Sequence, residues 1–180
     1  EGTLAVVTEL TLDLVPRPEQ TALGIVHFHT RDDALRAVTA VLDTDPAAVE
    51  LFDGVAIERA RQTPGFRDRL SFIDGEPGSL LLIEYFGDTE SDLSNALDEL
   101  EDVMASASRG YQVVRLFDPA AIQNAWTVRK EGLGLIMGVK SEYKPWPVIE
   151  DASVPVEHLA DYIQDLSRLI DGTDTKAVYY

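Results

Sequence analysis

The stretch from Ser79 to Phe117 narrows the folds open to this chain more than any other. Ser79 to Phe86 reads Ser-Leu-Leu-Leu-Ile-Glu-Tyr-Phe, a continuous apolar run of strand length. Leu93, Ala96, Leu97, Leu100, Val103, Met104 and Ala107 then fall on one helical stripe. Thr89-x-x-Asp92 caps the start of that helix, and Gly110 sits just past its end. Tyr111 to Phe117 reads as a strand again. The unit is therefore β-α-β, with the helix obliged to lay its stripe on the sheet.

An earlier stretch repeats the order. Ala22 to His29 predicts a strand, Thr30-x-x-Asp33 resembles a capping box, and Ala34, Leu35, Val38, Val41 and Leu42 have helical spacing. Asp45-Pro46 makes a turn, and Ala48 to Asp53 predicts a second strand. Gly54 to Gly78 is a polar, short-helical excursion. Two β-α-β units joined this way predict an α+β, ferredoxin-like (βαββαβ) antiparallel sheet with helices on one face.

The flanks are less regular. Residues 4–15 alternate and are β-rich, with Pro16 and Pro18 ending them in a stiff hinge, so a strand is expected there. Asp118-Pro119 opens a helix that carries Trp126 and Arg129. Gly132 to Pro147 holds three Gly, two Pro, a Trp and a Tyr, which predicts an irregular, poorly ordered insert rather than one helix. After Val154-Pro155 comes a helix with Val156, Leu159, Ile163, Leu166 and Ile170 inward, ended by Gly172. Lys176 to Tyr180 predicts a closing strand.

Composition excludes several functions. The formal net charge is −17, from 32 acidic and 15 basic residues. Binding nucleic-acid phosphates or an anionic membrane surface needs a basic face, so both are disfavoured. There are no cysteines, which removes disulfides, thiolate chemistry and any iron–sulfur cluster within these residues. No apolar run approaches bilayer length.

The chemistry gathers around Ala125-Trp126-Thr127-Val128-Arg129-Lys130-Glu131-Gly132 and Val148-Ile149-Glu150-Asp151. Arg129 has two readings. A guanidinium fork matches a carboxylate bidentately, which suits ligand capture. Equally, an Arg near a helix C-terminus can pair with Glu131 or Glu150 on the surface. Glu150 and Asp151 are candidate acid–base groups, or they orient Arg129 or cap the next helix. His27 and His29 share a strand face and could chelate a metal, but no third ligand is near in sequence; structural histidines at a sheet edge are the expectation. His158 is expected to be exposed. Asp88 to Asp102 holds seven carboxylates without an EF-hand loop, so a solvated helix face is expected.

Two motifs carry a family resemblance. Trp126-x-x-Arg129-Lys130 followed by Glu150-Asp151-x-x-Val154-Pro155 resembles the C-terminal substrate (cap) domain of the FAD-linked oxidases. That group contains D-lactate dehydrogenases, glycolate oxidase and D-2-hydroxyglutarate dehydrogenase. Glu1-Gly2-Thr3-Leu4-Ala5-Val6-Val7-Thr8-Glu9 and Leu12-x-Leu14-Val15-Pro16 resemble the closing segment of the family's FAD-binding domain. The Gly132-to-Pro147 insert most resembles the large bacterial members with an iron–sulfur domain.

The resemblance implies a fragment: residues 1–18 as the tail of the flavin domain and hinge, and 19–180 as a truncated substrate domain with a partly duplicated ferredoxin-like organisation. It implies FAD held mainly by another domain, with Gly2 and Thr3 as a remnant of the flavin site. It implies hydride transfer from C2 of a D-2-hydroxy acid to flavin, with Arg129 binding the substrate carboxylate and Trp126 as packing support. The isolated segment is then expected to be inactive. A divalent metal is implied only through histidines outside this sequence. Two positions depart from the family: a Lys of some relatives falls on Ile149, and a hydroxyl four residues after the Arg falls on Leu133. Lys144 is the candidate substitute. The implied location is the cytoplasm or the periphery of the inner membrane. The competing reading is a non-catalytic ferredoxin-like module that binds a small ligand or pairs sheets in a homodimer.

Overall fold

The computed structural model describes residues 3–138, 145–150, 152–175 and 177–179. The elements run β1 (Gln20–Phe28), α1 (Arg31–Leu42), β2 (Ala48–Asp53), α2 (Gly54–Gln62), β3 (Ser79–Gly87), α3 (Glu90–Ser106), β4 (Gln112–Leu116), α4 (Pro119–Met137) and α5 (Val156–Asp171). A single 3-10 turn, Arg67–Arg69, lies between α2 and β3. The sheet order is β2-β3-β1-β4, and every neighbouring pair is antiparallel. This is the ferredoxin-like arrangement that the element order predicts.

Strand alternation assigns the faces. Ala22, Val26 and Phe28 of β1, with Leu81, Ile83 and Tyr85 of β3, face α1 and α3 in one apolar core. Leu23 and Ile25, with Leu80 and Leu82, face the opposite side. The register Ile25↔Leu82 and Val26↔Leu81 keeps the two sets apart along the β1–β3 pair. Gly24 lies under α3. A Cβ there would meet Leu100 Cδ2 at 2.6 Å and Leu97 Cδ2 at 2.9 Å, so the missing side chain is what lets the helix descend.

Helix starts follow the sequence signals. Asp92 N–H donates to Thr89 Oγ1 at 3.2 Å while Asp92 Oδ2 accepts from Thr89 N–H at 2.9 Å, a complete capping box. At Thr30 the hydroxyl accepts from Asp33 N–H at 3.1 Å, capping α1. Asp118 accepts from Ala121 N–H at 2.8 Å, with Pro119 opening α4.

Helices on one face describes the βαββαβ unit itself, since α1 and α3 lie together. The other face is covered as well. There α2 contributes Ala56, Ile57 and Ala60, the following loop Leu70 and Phe72, and α4 Ile122, Ala125, Val128 and Ile136. The excursion between β2 and β3 thus closes one half of a three-layer core. Its two ends meet: a Cβ on Gly54 would lie 2.5 Å from Gly78 O, and one on Gly78 only 2.1 Å from His29 O.

Several expectations are corrected. Residues 4–15 form no strand; Leu4, Leu10, Leu12 and Leu14 stand exposed. An alternating pattern becomes a strand only when a neighbour takes its hydrogen bonds, and none of the four strands does. The helix bearing Arg129 does not break at Gly132 but runs on to Met137. Buried Ala125, Val128, Gly132 and Ile136 keep helical spacing, and that packing outweighs the ~1 kcal/mol that each interior glycine costs. The order expected of Gly132–Pro147 concerns residues 139–144 as well, which lie outside the described residues.

The last helix packs on α1 rather than on the sheet. Arg36 Nη2 bonds Asp161 at 3.1 Å and Arg31 Nη2 bonds Ser167 Oγ at 3.2 Å. Its apolar stripe is half-buried, and only Ala160 is buried fully. Ala177 to Tyr179 are not a strand; Tyr179 instead lies under the Arg31 guanidinium, 3.6 Å from ring centroid to Cζ. The described residues after α4 add a helix and no strand, hence no second sheet.

Candidate functional site

On the α2/α4 side the sheet is not apolar throughout. β2 alternates Glu50 and Phe52 toward α4, and β3 alternates Leu80, Leu82 and Glu84. Ala48 pairs with Glu84 and Glu50 with Leu82, so the two carboxylates sit on neighbouring strands toward the same end of the sheet. They meet α4 at two donors one helical turn apart. Trp126 Nε1 donates to Glu84 Oε1 at 3.0 Å, and Arg129 Nη2 donates to Glu50 Oε2 at 2.9 Å. The neighbours Ala125 and Val128 are buried, which turns Trp126 and Arg129 to the rim of that core.

Glu50, Gln123, Trp126, Thr127, Arg129 and Lys130 line an open cleft of about 540 Å³. Thr127 Oγ1 donates to Gln123 O at 2.7 Å and accepts from Gln123 Nε2 at 3.2 Å, which fixes the upper wall. The cleft holds two cationic side chains, Arg129 and Lys130, beside one carboxylate, Glu50. In a chain of net charge −17 this is a local reversal of sign suited to a small anion.

The structure brings together Arg129 and Trp126 and adds Glu50, Glu84 and Gln123, which sequence reading did not place there. Arg129 pairs with Glu50, 79 residues away, where the sequence offered Glu131 or Glu150. Only the alternation of β2 around buried Phe52 hinted that Glu50 shares a face with the core. Leu133, one turn beyond Arg129, and Ile149 are both exposed. Glu150 is exposed and does not cap α5, whose N-cap is Pro155 with no side-chain bond. Lys140, Lys144 and Asp151 lie outside the described residues, as does Gly2; Thr3 is exposed.

His27 is a buried residue of a central strand, not one at a sheet edge. β1 lies between β3 and β4, and His27 is fully buried. Its Nδ1–H donates to Ile25 O at 3.1 Å, and Nε2 accepts from Asp74 N–H at 3.0 Å, which defines the neutral ring. Burial pushes its pKa below the ordinary value, offset in part by the Ile25 carbonyl and the Asp74 carboxylate. His29 stacks on Tyr111 at 4.5 Å, and His158 is exposed. Among the described residues no group of three or more metal-ligating side chains converges. The acidic run on α3 is not wholly solvated: Arg115 on β4 bonds Asp98 and Glu101, both at 2.6 Å.

Fold and cleft together define an α+β domain with a helix-borne arginine and lysine at a cleft beside a ferredoxin-like sheet. The chain belongs to the family described as FAD linked oxidases, C-terminal domain, which matches residues 17–180. It is 32% identical to a D-2-hydroxyglutarate dehydrogenase of Escherichia coli (strain K12) across 96% of this chain and 18% of that protein. It is 27% identical to the mitochondrial D-lactate dehydrogenase [cytochrome] of Arabidopsis thaliana, across 96% of this chain and 29% of that one. Against the glycolate oxidase subunit GlcD of Escherichia coli (strain K12) it is 26% identical across 98% of this chain and 34% of that subunit. The chain therefore spans about a fifth to a third of these relatives. FAD is the cofactor the family implies. No described helix is long and apolar enough to cross a membrane.

Proposed function

We propose that this chain is the substrate-binding domain of an FAD-dependent dehydrogenase acting on D-2-hydroxy acids, of the D-lactate, glycolate or D-2-hydroxyglutarate kind. One observation carries the reading: the Arg129 guanidinium lies at the wall of a cleft that Lys130 also lines, on a helix pinned to the sheet at two points. A fork held this way presents paired N–H donors to a carboxylate with little left to reorganise. Lys130 adds charge at the mouth. Trp126, tied to Glu84, keeps the turn below Arg129 from rotating.

Thr3, the described half of the expected remnant of the flavin site, is exposed, which supports FAD being held mainly by another domain. The oxidation belongs to the flavin elsewhere in the protein. This domain binds the acid, orients it by its carboxylate and keeps water from that end. Residues 1–18 serve as the lead-in from the flavin domain and 19–180 as the substrate domain.

The test uses the full-length protein loaded with FAD. Flavin bleaching is followed with D-lactate, D-2-hydroxyglutarate and glycolate, wild type beside Arg129→Ala. One acid should bleach the flavin, and the substitution should lower kcat/KM about 100-fold or more with FAD still bound. If no acid reduces the flavin, or Arg129→Ala is silent, the reading fails and a non-catalytic ligand-binding module takes its place.

A further inference from the structure

Glu50 is the one acidic wall of a cleft otherwise suited to anions. A carboxylate there weakens the field of Arg129, so its presence calls for a physical reason. The geometry supplies one. The Arg129 side chain is 13% exposed and Glu50 44% exposed, so the guanidinium sits below the rim while the carboxylate steadies it from the solvent side. Arg129 Nη2 is the atom engaged. A guanidinium has five N–H groups, so it can serve several acceptors at once. A long side chain frozen before the ligand arrives loses less freedom on binding. Glu84 repeats the device one turn earlier through Trp126. Two carboxylates on adjacent strands thus hold two donors on α4.

We propose that Glu50 is a positioning residue for Arg129 in the carboxylate site, with Glu84 acting through Trp126 to set how α4 lies on the sheet. The proposal rests on the reading of Arg129 as the carboxylate receptor and deepens it. Glu50 does not touch the substrate in this account. It trades some attraction for orientation, and the trade shows in substrate binding, not in the oxidation.

The experiment compares wild type, Glu50→Gln, Glu50→Asp, Glu84→Gln and Arg129→Ala in the FAD-loaded full-length protein, with D-lactate, D-2-hydroxyglutarate and glycolate. Glu50→Gln should raise KM about tenfold while kcat stays within about twofold. Glu50→Asp should recover part of the loss, and Glu84→Gln should raise KM less than Glu50→Gln does. FAD content and melting temperature should stay near wild type. If Glu50→Gln leaves KM unchanged or lowers it while Arg129→Ala remains severe, the positioning role is overturned and the carboxylate site stands. A joint fall in kcat, FAD content and melting temperature would make Glu50 merely structural and overturn it likewise. A silent Arg129→Ala brings down both readings.

Discussion

The two faces of the sheet use the same strands differently. Toward α1 and α3, β1 and β3 present a mostly apolar face, and α3 answers with buried Leu93, Leu97, Leu100 and Met104; its polar bonds are those of Tyr85 with Thr44 and of Ser79 with the Thr30 carbonyl. Toward α2 and α4, the same strands interleave apolar residues with His27 and Glu84, and β2 adds Glu50. The first face is held mainly by burial. The second is held by burial at its centre and by directed polar bonds at its margin. The difference teaches where binding chemistry can be placed: at the margin, where a polar group is paired without being wholly desolvated.

That contrast can be broken first on the apolar side. Leu97→Ala should cost about 2–5 kcal/mol in urea denaturation, because Leu97 is fully buried against Gly24 and α3 cannot sink further onto the strand. On the other face, Trp126→Phe keeps the aromatic ring and leaves Glu84 to water. The expected cost is about 1 kcal/mol, since Glu84 is only half-buried and solvent can replace the lost donor. A loss there as large as that of Leu97→Ala would erase the distinction between the faces.

His27 sharpens the comparison through pH. Its folded-state pKa is lowered by burial, and its ring must be neutral to accept from Asp74 N–H. The stability it contributes is therefore whole above its unfolded value of 6.5 and is lost as pH falls below 6.5 toward the folded value. The slope from this one group is at most about 1.4 kcal/mol per pH unit. The groups facing the ring are the Ile25 carbonyl, the Asp74 carboxylate and the backbones of Phe72 and Gln112, with Tyr111 at its edge. The gap in stability between wild type and His27→Gln should narrow from pH 7.5 to pH 5.5; a constant gap would mean the ring is not titrating with folding.

Much of the fold was legible because its signals are local. The strand of Leu80 to Ile83, the stripe of α3 and the Thr89 cap all announce themselves within a few residues. So did the family, from Trp126-x-x-Arg129 and Val154-Pro155. What was not legible depends on distant partners. Glu50 gives no sign in sequence that it meets Arg129, since strand order and α4 placement decide it. α4 outlasts Gly132 because a core lies beneath it, which no propensity reports. Residues 4–15 carry a strand's alternation, yet alternation supplies no neighbour. His27 looked like an edge residue because sequence order does not say that β1 ends up central.

The touching ends of the excursion have a consequence for how such a domain diversifies. Gly54 and Gly78 meet backbone to backbone, so the two ends of the excursion are already joined next to β2 and β3. Lengthening a loop between joined ends costs only slowly more entropy. The exposed turn at Pro64-Gly65, where a Cβ on Gly65 would meet nothing within 4 Å, is thus a splice point. New sequence can be grafted there, as a tag, a peptide or a new binding loop, while the strands that carry Glu50 and Glu84 keep their register.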